Sequence, residues 1–91
     1  MPQDYAEAVK WNLLVANQGN SAAQNNLGLM YVNGHGVPKD YVRAHMWFDL
    51  SAAQGDTNAI KKRDWVAQHM TPEQIAEAQK LAREWKPKSE R

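Results

Sequence analysis

Sliding the 91-residue chain against itself by 36 positions aligns Pro2 with Pro38, Asp4 with Asp40, Tyr5 with Tyr41, Ala8 with Ala44 and Trp11 with Trp47. The register continues through Leu14/Leu50, Ala16/Ala52, Gln18/Gln54, Gly19/Gly55 and Ala23/Ala59. These ten identities fall within the first 23 aligned positions, and the next 13 hold none. Chance supplies about one or two at ordinary residue frequencies. A duplication with this period constrains the fold strongly. A unit of this length is one supersecondary element that buries its apolar face only against neighbouring units.

Each matched block carries a helix start and a helix stop. Asp4 and Asp40 are N-cap residues whose carboxylates accept from first-turn amides, and Glu7 adds a capping-box-like partner to Asp4. Gly19 and Gly55 end the helices where a left-handed residue suits glycine. Asn20-Ser21 and Asp56-Thr57 then offer new caps, so the chain turns tightly into antiparallel hairpins. Helix two is expected over 21–33, with Ala23, Leu27, Met30 and Tyr31 on one face and Gly28 beside it for close approach of a neighbour. Asn33-Gly34-His35-Gly36-Val37-Pro38-Lys39 breaks that helix. Helix three is expected over about 40–53 and helix four over about 57–69. Helix five starts at Thr71-Pro72-Glu73-Gln74 and carries Ile75, Ala78, Leu81 and Trp85 on one stripe. The pattern predicts an all-α chain of about five helices with no strands.

Ala16-Asn17-Gln18-Gly19-Asn20, Leu27-Gly28-Leu29-Met30-Tyr31, Gly34-His35-Gly36-Val37-Pro38-Lys39-Asp40-Tyr41, Ala44, Trp47 and Ala52-Ala53-Gln54-Gly55-Asp56 together resemble the Sel1-like repeat family, the 36-residue branch of the tetratricopeptide superfamily. The resemblance implies an α-α superhelix of antiparallel helix hairpins that works as a protein-interaction scaffold. Its repeat signature falls on Gly19, Leu27, Gly28, Tyr31, Gly34, Gly36, Asp40, Ala44, Trp47 and Gly55. Residues 1–19 correspond to the second helix of an incomplete repeat and 20–54 to a complete one. Residues 55–86 correspond to a capping repeat with its closing helix, and 87–91 to a polar tail. The second corner leads into Ile60-Lys61-Lys62-Arg63-Asp64-Trp65 rather than leucine-glycine-tyrosine, which suits a cap.

Several function classes lose support on composition. The absence of cysteine excludes a disulfide scaffold, a thiolate metal site and a cysteine nucleophile. His35, His45 and His69 lack the i, i+4 partner of a helical zinc site, and Gly34-His35-Gly36 is too short and lacks the preceding strand of a phosphate loop. No nucleophile, base and orienting group assemble, so a non-enzymatic protein without cofactor or metal is expected. The net charge is +1, split into +3 over residues 61–91 and −2 over residues 1–60. That balance disfavours nucleic acid as a partner. No apolar run reaches the length of a membrane span. No targeting signal is visible, and the compartment stays open.

An adaptor that binds a protein or peptide segment is therefore expected, with a purely structural or capping module as the alternative. In tetratricopeptide-like arrays the first helix of each pair lines the concave face, which points to helices two and four. Ala22, Asn25, Leu29 and Val32 lie opposite the core stripe, flanked by Asn26 and Asn33; Leu29 and Val32 are apolar there, and the asparagine amides can bond a peptide backbone. The repeat register adds Lys61, Lys62 and Trp65, with Trp65 as the anchor. Trp11 and Trp47 recur at one repeat position and are expected to pack between successive helices, with Trp85 closing the last apolar face. Helix one is apolar on more than one side. Its Tyr5, Val9, Trp11 and Leu13 are candidates for self-association or for contact with further repeats.

Overall fold

The helices start on the polar residues that the sequence marks for them. The computed structural model describes residues 4–88 and holds α1 (Tyr5–Asn17), α2 (Ser21–Asn33), α3 (Tyr41–Ala53), α4 (Thr57–Ala67) and α5 (Pro72–Glu84). No strand occurs among the described residues. Residues 1–3, expected in an incomplete repeat, and 89–91, expected in a polar tail, lie outside them. The side chains of Asp4, Asn20, Asp40 and Asp56 each accept a first-turn amide. Thr71 and Gln74 form a reciprocal capping box, with Gln74 N donating to Thr71 Oγ1 at 3.1 Å and Thr71 N donating to Gln74 Oε1 at 2.9 Å. Both helix-ending corners repeat faithfully. Gly19 and Gly55 have φ of 98° and 96°, and the amides of Asn20 and Asp56 reach back to Val15 O and Ser51 O. α4 stops two residues earlier than expected because its end tightens: His69 N bonds Val66 O and Met70 N bonds Ala67 O, both i to i−3.

Successive helices pack on one another, α1 on α2, α2 on α3 and α3 on α4, and α5 folds back onto α3. This makes an all-α helical solenoid. One apolar cluster contains Val9, Ala16, Ala23, Leu27, Met46 and Trp47; a second contains Ala44, Phe48, Ala59 and Val66. α2 serves both, with Leu27 buried in the first and Leu29 and Val32 packed against the second. Gly28 is buried on α2 because the Phe48 ring lies directly against its Cα, in the space a β-carbon would occupy. That is the close approach its helix position suggests.

A polar seam joins the two helix corners. Gln24, fully buried on α2, donates from Nε2 to Ala16 O at 3.1 Å and accepts from Gln54 Nε2 at 2.9 Å. The Ser21 and Ser51 hydroxyls lie 2.8 Å apart, and Ser51 Oγ donates to Ser21 O. The apolar stripe expected on α2 leaves out Gln24. The wheel would have placed it with Leu27 and Gly28, at the spacing of three and four residues that defines one face.

Two further contacts tie the segments into one body. The α2–α3 connection bends through Gly34 and Gly36, with φ of 71° and 79°. A β-carbon at Gly36 would stand 2.5 Å from the Tyr5 carbonyl oxygen, and the His35 ring stacks on Tyr5 with centroids 4.3 Å apart. The loop that reads as a helix-ending turn is thus also a contact with α1. At the other end, Trp85 meets Trp47 edge to face at 6.3 Å and donates from Nε1 to Asn17 Oδ1 at 3.2 Å. Lys88 N then bonds Asn17 O at 2.6 Å.

The expectation that Trp11 packs like Trp47 is corrected. Trp47 is 4% exposed and Trp11 is 66% exposed. The two hold equivalent repeat positions, but the cover of Trp47 includes Trp85 from α5, and among the described residues no ring contact covers Trp11 in that way.

Candidate functional site

α2 and α4 approach each other across α3 and leave a cleft of about 180 Å³ between them. Leu29 and Val32 on α2 form one wall, Lys62, Trp65 and Val66 on α4 the other, and Phe48 of α3 completes the lining. The arrangement follows from helix spacing. Leu29 and Val32 are three residues apart on α2, and Lys62, Trp65 and Val66 are three and four apart on α4, so each set shares a face. Phe48 and Val66 are fully buried and fix the walls, whereas Trp65 remains 48% exposed. The Trp65 indole is steadied by His69, with ring centroids 4.5 Å apart, and by the edge of Tyr41 at 6.3 Å. A held, half-exposed indole beside an apolar cleft presents contact area at low entropic cost.

Of the residues expected to bind a partner, Leu29, Val32, Lys62 and Trp65 come together here. Asn26 and Lys61 are exposed and lie outside the lining of the cleft, Lys61 one turn before Trp65 on α4. Asn25 is half-buried. It lies one turn before Leu29, but its Oδ1 is buried with no hydrogen-bond donor, so that acceptor sits beneath the surface instead of on it. Phe48 and Val66 were not foreseen as walls. Their signal was present in the apolar character of α3 and α4, but only packing shows which neighbours they meet.

The basic run divides in its partners. Arg63 pairs with Asp49 at 3.7 Å and with Asp64 at 3.4 Å. Asp49 Oδ2 also accepts from the buried His45 ring at Nδ1, 2.9 Å away, which gives that histidine a packing and tethering place in α3. His35 and His69 are ring partners of Tyr5 and Tyr41. Among the described residues no group of three metal-ligating side chains converges. Among the described residues no helix is long and apolar enough to cross a membrane.

A second surface lies on the outer side of α1. Trp11, Leu13 and Leu14 are exposed there, and Lys10, Leu13, Leu14, Asn17, Gln18 and Lys88 border a broader hollow of about 420 Å³. Tyr5 is partly exposed but stacked on His35. Val9, expected on this surface, is buried in the first core cluster and does not belong to it.

The Sel1 repeat model matches residues 1–20 and 21–56. The chain is 37% identical over 60 residues to the chitin synthase regulator SKT5 of Saccharomyces cerevisiae, a match covering 66% of this chain and 9% of that protein. A solved structure, that of c5321, a protective antigen present in uropathogenic Escherichia coli strains displaying an SLR fold, superposes with a TM-score of 0.86 at 34% identity. That superposition covers 90% of this chain and 18% of the antigen. The chain thus spans a small part of the length of either relative.

Proposed function

Since the chain belongs to the Sel1 repeat family, whose repeats are generally protein-interaction modules, we propose that it is a non-enzymatic adaptor binding a protein or peptide segment on the face shared by α2 and α4. The observation that carries this function is the cleft lined by Leu29, Val32 and Trp65, where an exposed indole stands over apolar walls. Such a concavity offers a pocket for one anchor side chain and a rigid aromatic rim beside it. A peptide array probed with the whole chain tests the proposal. Reproducible hits are expected, and Leu29→Asp and Trp65→Ala should each abolish them while the circular dichroism spectrum stays helical. Hits that survive both substitutions would place binding elsewhere.

A second function is favoured by the outer face of α1. Exposed Trp11, Leu13 and Leu14 suit a docking face for another helical unit, either a further repeat or a second copy of the chain. In that case the chain is a structural or capping module, and an attached region supplies the activity.

A further inference from the structure

Resting on the cleft function above, we propose that the partner segment is acidic and presents one large apolar side chain. The size of the cleft sets the anchor. At about 180 Å³ it is comparable to the roughly 150 Å³ apolar cavity that accepts a benzene ring. It therefore takes one phenyl or branched aliphatic group, not an extended row of them. Its walls are Leu29, Val32, Phe48, Trp65 and Val66, and the stem of Lys62 completes them. No carboxylate is among the lining residues.

Charge sets the flanks. Lys62 lines the cleft while half-buried, the arrangement in which a lysine stem packs on apolar surface and its ammonium stays in water. Lys61 is exposed one turn before Trp65 on the same side of α4. The third cation of the run, Arg63, is already engaged by Asp49 and Asp64. Among the described residues no ion pair is formed by Lys61 or Lys62. Lys62 at the cleft and Lys61 one turn before Trp65 thus offer two cations beside an otherwise apolar slot. A segment with glutamate or aspartate beside its anchor gains two attractive pairs, and a basic segment meets repulsion, which is how rim charge selects partners. Two cations are far too few for a nucleic-acid footprint, and the apolar slot has no use for a phosphate backbone.

Three dye-labelled peptides of equal length test this by fluorescence anisotropy, each with a central phenylalanine flanked by glutamate, serine or lysine. The glutamate peptide should bind about tenfold tighter than the serine peptide, the gain available from two exposed ion pairs. The lysine peptide should bind weakest, and the preference should shrink as salt rises. In the double variant Lys61→Glu/Lys62→Glu the order should invert, with an unchanged thermal melt. Trp65→Ala should weaken all three peptides. Equal affinity for the three, lost in Trp65→Ala, would overturn the acidic partner and leave the cleft function standing. Binding that ignores Trp65→Ala, or no binding by any peptide, would overturn both.

Discussion

A methyl group at position 28 has nowhere to go, because the fully buried Phe48 ring occupies the space on one side and the helix backbone the other. Gly28→Ala gains about 1 kcal/mol of helix propensity, yet forced overlap in a filled core costs about 1–3 kcal/mol, so net destabilisation is expected. Urea melts should show a lowered midpoint for Gly28→Ala and a recovery in Gly28→Ala/Phe48→Leu, where the smaller side chain clears the overlap. A midpoint that rises in the single variant would mean that the ring moves freely, contrary to its burial. Gly28 was legible as a site of close approach because glycine inside a helix demands a reason. Gln24 was not: a glutamine reads as surface until the Ala16 carbonyl and the Gln54 amide are seen on either side of it. The half-hidden Asn25 acceptor escaped for the same reason, since burial of a polar atom belongs to its neighbours rather than its type.

At the scale of elements, α5 acts as a lid on α3. Trp85 links three helices through its edge contact with Trp47 and its hydrogen bond to Asn17 of α1. Trp85→Ala removes both and should cost about 2–3 kcal/mol, below the largest values for fully buried tryptophan because the ring is half-exposed. Tryptophan emission should shift to the red as Trp47 gains water, and a spectrum unchanged from the parent chain would show that α5 covers it without Trp85. Element boundaries were read well from sequence because caps are local: Asp4, Asn20, Asp40, Asp56 and Thr71 each bond amides two to three residues away. The fate of the two repeat-equivalent tryptophans was not legible. Local sequence puts Trp11 and Trp47 on the same repeat position, but Trp47 joins the cluster of Val9, Ala16, Ala23 and Leu27 and meets Trp85, whereas Trp11 stays exposed. The cleft was legible by half. The register between α2 and α4 named Leu29 and Trp65 together, while Phe48 and Val66 could be assigned to it only once α3 lay between those helices.

At the scale of the whole molecule, α1 presents an apolar outer face with Trp11, Leu13 and Leu14 exposed. Trp11 at 66% exposure and Leu14 at 46% stand beside Lys10, whose nearest carboxylate is Glu7 at 3.8 Å. Concentration-dependent association is expected in sedimentation velocity at micromolar protein, and Leu14→Asp should restore a monomer while changing stability by less than about 0.5 kcal/mol, as for other surface substitutions. A parent chain that sediments as a monomer at every concentration would remove self-association from the roles of this face. The contact of Gly36 with the Tyr5 carbonyl has a consequence of another kind. The loop between α2 and α3 also meets the helix before it, so its length is fixed by two partners at once. An insertion there would pull His35 off Tyr5 and shift α3 against α1. Recombination that copies or deletes a full 36-residue block, by contrast, returns the corner glycines and the helix caps to equivalent places. The fold therefore lets its gene lengthen or shorten in whole units and resists change by any other step.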